Sequence, residues 1–293
     1  MYNWREITHQ ISSAAGISLD PEKHQTISGG CINTCFLLGR VGQQVFIKLN
    51  LREYQHMFIA ESEGLASMAQ SGAIEIPAPL CVGISGEYTY IAMQFIEFGH
   101  AREGSYRNFG HALAAMHRYQ GSQYGSPIDN TIGLTAQINT PSNNWFDFWR
   151  RHRLEFQLKL AQDNRAPAAL IDDGMQLAEK FHQLFAHTPP ASCLHGDLWQ
   201  GNWSFNKQGK PVLFDPAHYF GDRETDLART SLFGGAPESF YHAYNESYPL
   251  ETGYPVREKL YNIYHVLNHY NLFGGGYASQ AHNMIQYVLS ELK

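Results

Sequence analysis

Cysteine is scarce in this chain: Cys31, Cys35, Cys81 and Cys193 are too few and too scattered for a disulfide framework, and none pairs as Cys-x2-Cys to open a zinc site. Free thiols are expected. Basic residues are outnumbered, 21 Lys and Arg against 27 Asp and Glu, and no run of them forms a track for nucleic acid. No apolar stretch approaches membrane-spanning length, and Met1 to Glu6 carries neither a basic segment nor an apolar leader, so cytoplasmic residence without a membrane or nucleic-acid partner is the expectation. Fifteen histidines are present, but His265 and His269, one helical turn apart, lack the Glu of a His-Glu-x2-His metal motif and read as ordinary histidines.

What the chain does have is core material. With 43% hydrophobic and 16% charged residues over 293 positions it reads as an ordinary globular protein, long enough for one large domain or two lobes. Residues 2 to 15 read as an amphipathic helix with Trp4, Ile7 and Ile11 on one face. A strand, a turn at Ser28-Gly29-Gly30 and a second strand to Leu38 follow, and two glycines at a hairpin tip let backbone N–H groups approach phosphates closely. Gln44 to Lys48 reads as an apolar strand ending in lysine. Tyr54 to Ala69 reads as a helix carrying Glu61 and Glu63, either of which could pair with Lys48, Glu61 being preferred. Further strands at Leu80 to Ile84 and Tyr88 to Ile96 complete a sheet of about five, after which the chain passes through Met93, Gln94 and Phe95 toward a helical half. Trp145 to Asp163 and Ala169 to Phe185 read as helices, separated from the helix ending at His117 by a loop, Gly121 to Asn144, longer than usual connections.

The chemistry concentrates in His195-Gly196-Asp197-Leu198-Trp199-Gln200-Gly201-Asn202 and in Val212-Leu213-Phe214-Asp215. Asp197 and Asn202 lie five positions apart and Asp215 thirteen further on, the spacing at which protein kinases carry a catalytic Asp and two metal-binding groups. A carboxylate in a tight loop can orient a hydroxyl and take its proton, while an amide and a second carboxylate are hard oxygen donors suited to Mg²⁺. The run Pro211 to Phe214 is a strand that delivers Asp215. Lys48, at the end of a strand like the kinase Val-Ala-Ile-Lys strand, is placed to hold ATP phosphates, with Gly29, Gly30 and Cys31 at the phosphate turn and Met93, Gln94 and Phe95 beside the adenine.

Four segments carry a narrower resemblance: Leu194 to Asn202; Phe214-Asp215-Pro216-Ala217 with Gly221-Asp222-Arg223-Glu224-x-Asp226-Leu227-Ala228; Leu232 to Gly235; and Leu267 to Gly274. These resemble the fructosamine kinase family, a branch of the aminoglycoside phosphotransferase-like kinases. The resemblance implies an α+β, bilobal protein-kinase-like fold, with a small N-lobe of antiparallel sheet plus helix (1–96), a hinge (97–104) and a mainly helical C-lobe (105–293). It also implies ATP-dependent phosphorylation of the 3-hydroxyl of a ketosamine on a glycated amine or glycated-protein lysine, an adduct that then falls off. By position, Asp197 is then the base, Asn202 and Asp215 the magnesium ligands, Lys48 the phosphate lysine and Glu61 its partner. Asp226 braces the catalytic loop, Trp199 faces the sugar or else packs in the core, and Cys31 is a candidate redox-sensitive thiol.

Two other readings remain open at this level. One is a related kinase of an aminoglycoside, choline or thiosugar. The other is a non-catalytic nucleotide-binding protein, disfavoured because Lys48, Asp197, Asn202 and Asp215 are all retained.

Overall fold

The computed structural model describes residues 2–27 and 32–292. The turn with Gly29, Gly30 and Cys31 lies outside them, so the expectations placed on those three residues go no further. Helix α1 (Trp4–Ala15) is capped by Asn3, whose side chain accepts the Glu6 N–H, and ends at Gly16 in the left-handed conformation. Strands β1 (His24–Ile27), β2 (Thr34–Leu38) and β3 (Val45–Leu51), helix α2 (Gln55–Ala69), and strands β4 (Pro79–Ser85) and β5 (Tyr88–Gln94) follow. The strands form one antiparallel sheet in the order β1-β2-β3-β5-β4.

Strand periodicity sorts β3 between two faces. Val45, Ile47 and Leu49 pack with Ile7 and Ile11 of α1, Phe36, Leu38 and Tyr90 on one side. Phe46 and Lys48 point to the opposite side, beneath α2. The strand continues to Leu51, so Lys48 is not at its end as the sequence suggested but near its middle, on the face buried against α2. Its backbone is therefore paired on both sides, with Cys35 and Ile91, which fixes the root of the side chain better than a strand terminus would.

A second apolar cluster runs without a break from Phe58, Leu65 and Met68 of α2 and Ile91 and Met93 of β5 into Phe109, Leu113 and Met116 of α3 (Ser105–Arg118). It goes on to Cys193, Leu198, Trp203, Phe205 and Leu213 around the loop over 195–202. Fully burying each such side chain contributes about 1.5–3 kcal/mol.

The long connection after α3 is ordered by a short hairpin, β6 (Asn130–Ile132) with β7 (Thr135–Gln137), closed at Gly133 and Leu134. The expected single helix over 145–163 is interrupted: α4 (Trp145–Trp149) passes through a π-helical stretch, Arg150–Glu155, into α5 (Phe156–Asp163). The wider turn carries Arg153 into the interior, where its guanidinium lies over Tyr219 and donates to the Ile138 carbonyl at 2.6 Å and to Asn139 Oδ1 at 2.7 Å. Helix α6 (Ala168–Lys180) leads to β8 (Ser192–Leu194), β9 (Trp203–Phe205), β10 (Pro211–Leu213) and β11 (Tyr219–Gly221), paired β8 with β11 and β9 with β10. Helices α7 (Glu224–Ser231), α8 (Glu238–Ser247), α9 (Tyr254–Phe273) and α10 (Tyr277–Glu291) complete the chain. Among the described residues no helix is long and apolar enough to cross a membrane.

Candidate active site

The catalytic stretch lies between β8 and β9 as a tight loop, and the sequence dictates its tightness. Gly196 has φ +84°, and a Cβ there would collide with the Ala217 carbonyl oxygen, so only glycine fits. The loop is held from behind by Asp226 of α7, which accepts the His195 N–H at 2.7 Å and the Gly196 N–H at 2.8 Å. His117 of α3 adds a ring nitrogen 3.2 Å from the same carboxylate and 2.8 Å, through its other nitrogen, from the Tyr244 hydroxyl. Burial works against the Asp226 charge, but the His117 bond, the neighbouring imidazoles and the backbone N–H outweigh it and hold the carboxyl below its ordinary range. Asp226 thus ties two consecutive backbone N–H groups of the loop to α7. His117, which the sequence marks only as the end of a helix, supports Asp226 in turn.

Asp197 and Asn202 meet in front of this brace. The Asn202 amide donates to the Asp197 carbonyl at 2.9 Å, to Asp197 Oδ2 at 3.3 Å and to the Asp215 carbonyl at 3.4 Å. Asp215 follows β10 with φ +56°, a left-handed conformation that Asp tolerates better than most residues and that turns its carboxylate toward Lys48. Lys48 donates to Glu61 Oε1 at 2.6 Å and pairs with Asp215 Oδ1. Glu63, the other acid considered, is exposed. Burial works against the Lys48 ammonium, but the charges and hydrogen bonds of Asp215 and Glu61 outweigh it and raise its pKa.

These groups open onto a cavity of about 680 Å³. Lys48, Glu61, Asp197, Trp199, Asn202 and Asp215 line it, as do Met93, Gln94 and Phe95 from the exit of β5. The Gln94 N–H already donates to the Ala78 carbonyl at 2.8 Å, so that group is not free for a base. Trp199 is 39% exposed, which excludes the core reading of this residue and leaves its face toward the cavity.

Several further groups, some of them in the long loop over 121–144, line the cavity. Phe98 stacks on Phe214 with ring centres 5.1 Å apart, and Asn130, Thr131 and Gly133 of the β6–β7 hairpin form part of the wall. The hairpin is tied down by Asn130 Nδ2 donating to the His218 carbonyl at 2.8 Å and by Gln137 Nε2 donating to Asn130 Oδ1 at 2.7 Å. Arg229 was missed in the sequence: its Nε donates to Asp197 Oδ1 at 2.8 Å. A signal existed, since Arg229 follows Asp226 by one helical turn and shares its face.

Gly221-Asp222-Arg223-Glu224 proves to be a lock on α7. Asp222 Oδ1 accepts the Glu224 N–H at 3.0 Å and its Oδ2 the Tyr261 hydroxyl at 2.6 Å. Glu224 takes Arg257 in a fork at 2.7 and 2.8 Å. Arg223 caps the Tyr248 carbonyl at 2.8 Å and lies over the Tyr248 ring.

An antiparallel sheet with an inward lysine, a braced loop bearing Asp197 and Asn202, and a strand-borne Asp215 define a protein-kinase-like phosphotransferase. An aminoglycoside phosphotransferase in complex with ADP and hygromycin B shares the fold, with a TM-score of 0.61 at 16% identity over 97% of this chain and 98% of that one. The chain belongs to the fructosamine kinase family, whose model matches residues 3–291. A crystal structure from Haemophilus somnus 129PT, provisionally described as a fructosamine-3-kinase, superposes with a TM-score of 0.86 at 30% identity, covering 98% of this chain and 97% of that one. A Synechocystis sp. protein provisionally described as a ketoamine kinase is 43% identical, covering 98% and 97% of the two chains. A chloroplastic protein-ribulosamine 3-kinase of Oryza sativa subsp. japonica is 42% identical over 92% of this chain and 79% of its own. Membership makes this chain an ATP-dependent phosphotransferase.

Proposed function

We propose that this protein phosphorylates the 3-hydroxyl of a ketosamine carried on a lysine or another amine, with Asp197 as the base. The acceptor oxygen attacks the γ-phosphorus of ATP, the bond to the bridging oxygen breaks, ADP leaves, and the hydroxyl proton passes to the Asp197 carboxylate. The observation that carries this reading is the convergence of Asp197, Asn202, Asp215 and Lys48 on one cavity whose mouth holds an exposed Trp199. A ketosamine is favoured over an aminoglycoside, choline or thiosugar by the relatives' described substrates.

Residues 1–96 would supply the nucleotide-binding half and 105–293 the acceptor half, joined at 97–104. Lys48, kept charged by Asp215 and Glu61, would face the phosphates, and Phe95 and its neighbours the base. Magnesium fits the donor set. Asp215 Oδ2 and Asn202 Oδ1 have no hydrogen-bond donor among the described residues, and both are hard oxygens. No cluster of three His, Cys, Asp or Glu among the described residues could hold an ion alone, so phosphate oxygens would complete its shell. Bound there, the ion would neutralise charge on the phosphates.

The test is incubation with Mg-ATP and peptides bearing ribulose-lysine or fructose-lysine, followed by mass spectrometry. Phosphate is expected on the sugar. Transfer to an aminoglycoside with none to either peptide would overturn the assignment.

A further inference from the structure

Arg229 projects from α7 toward the catalytic loop and is only 5% exposed. Its ion-pair partner among the described residues is Asp197, with Nε 2.8 Å from Oδ1. Its Nη1 is buried and lacks a hydrogen-bond partner among the described residues. The guanidinium carbon lies 5.9 Å from the Trp199 ring centre and 5.3 Å from that of Phe233, so two aromatic faces flank it. For packing alone this is a costly residue. A buried cation loses several kcal/mol of hydration, and an apolar side chain of similar length would fill the space without that loss or an orphaned donor. The aromatic faces offset part of that loss, and the one hydrogen-bonded ion pair that repays a guanidinium among the described residues is that with Asp197.

That bond decides which carboxylate oxygen works. Oδ1 is occupied by Arg229, while among the described residues Oδ2 has only the Asn202 amide at 3.3 Å. Without Arg229 the carboxylate could rotate about Cβ–Cγ and present either oxygen at a range of angles. With it, one oxygen is pinned and the other is left toward the cavity. We infer that Arg229 is a positioning residue that fixes the plane of the Asp197 carboxylate and reserves Oδ2 for the acceptor hydroxyl. This rests on the reading of Asp197 as the base. A misaligned base costs turnover while leaving the binding surfaces for ATP and sugar intact.

The test compares wild type, Arg229→Met, Arg229→Lys, Asp197→Asn and the Asp197→Asn/Arg229→Met double variant in steady-state assays and in single-turnover transfer of labelled γ-phosphate. Arg229→Met is expected to lower kcat by roughly ten- to a hundredfold with both KM values within about twofold, and Arg229→Lys to recover part of the loss. In the Asp197→Asn background the Met substitution should add no further loss, because the group it orients is gone. The melting temperature of Arg229→Met should not fall. A folded Arg229→Met with wild-type kcat beside an inactive Asp197→Asn overturns the inference and leaves the reading of the site standing. An equal loss from Arg229→Met in both backgrounds also overturns it, marking a structural residue, and a fully active Asp197→Asn overturns reading and inference together. Should Arg229→Met fail to fold, Arg229→Gln takes its place under the same criteria.

Discussion

The Asp226 carboxylate spans two consecutive backbone N–H groups, those of His195 and Gly196, at 2.7 and 2.8 Å. Asp226→Asn replaces one acceptor oxygen with a donor facing an N–H. The variant should lose at least a hundredfold in turnover and about 2–4 kcal/mol of stability, measured by phosphate transfer and denaturant unfolding.

Gly196→Ala combines a disfavoured φ with a collision at the Ala217 carbonyl. A loss of at least 2 kcal/mol is expected in denaturant unfolding, with activity falling even at temperatures where the variant is folded. Retention of both would mean that the loop can shift freely, contrary to its hydrogen bonding.

Trp199→Ala removes an exposed ring at the cavity mouth and leaves the buried cluster untouched. KM for the ketosamine should rise about tenfold or more, while KM for ATP and the melting temperature stay near wild type. An unchanged acceptor KM would place the sugar elsewhere.

Stability should fall as pH drops below neutrality, and His218 gives the sign. Burial pushes its pKa down to about 4, with the Leu194 carbonyl, 2.7 Å away, offsetting only part of that shift. The unfolded chain takes up a proton near pH 6.5, whereas the folded one resists until about 4, so stability is lost between these values as pH falls. The loss attributable to His218 is about 3 kcal/mol at most. Unfolding curves of wild type and His218→Gln at pH 7 and pH 4.5 test this: the variant should show a smaller pH dependence.

Much of this arrangement was legible from the chain because kinase chemistry fixes short spacings. Asp197, Asn202 and Asp215 are tied by the length of a loop and a hairpin, and Lys48 with Glu61 by a strand followed by a helix. What escaped depends on contacts between segments far apart. His117 reaches Asp226 across 109 positions and Asn130 reaches His218 across 88, distances over which no periodicity carries information. The π-helical stretch was hidden for another reason. Its residues have ordinary helical preferences, and the wider turn is stabilised by where Arg153 must go. The strand boundary at Lys48 was misplaced because Leu49 and Leu51 continue the alternation through a polar position.

Asp226 and Arg229 leave the same side of α7, one gripping the backbone of the loop and the other its side chain. Any displacement of that helix is therefore transmitted to the loop and to the carboxylate together, as an error common to both rather than a relative one. The accuracy with which the proposed base would meet its hydroxyl is thus inherited from the Glu224–Arg257 fork and the Tyr261–Asp222 bond, none of whose residues lines the cavity. Substitutions at Arg257 or Tyr261 would read in kinetics as active-site damage while lying well outside the cavity.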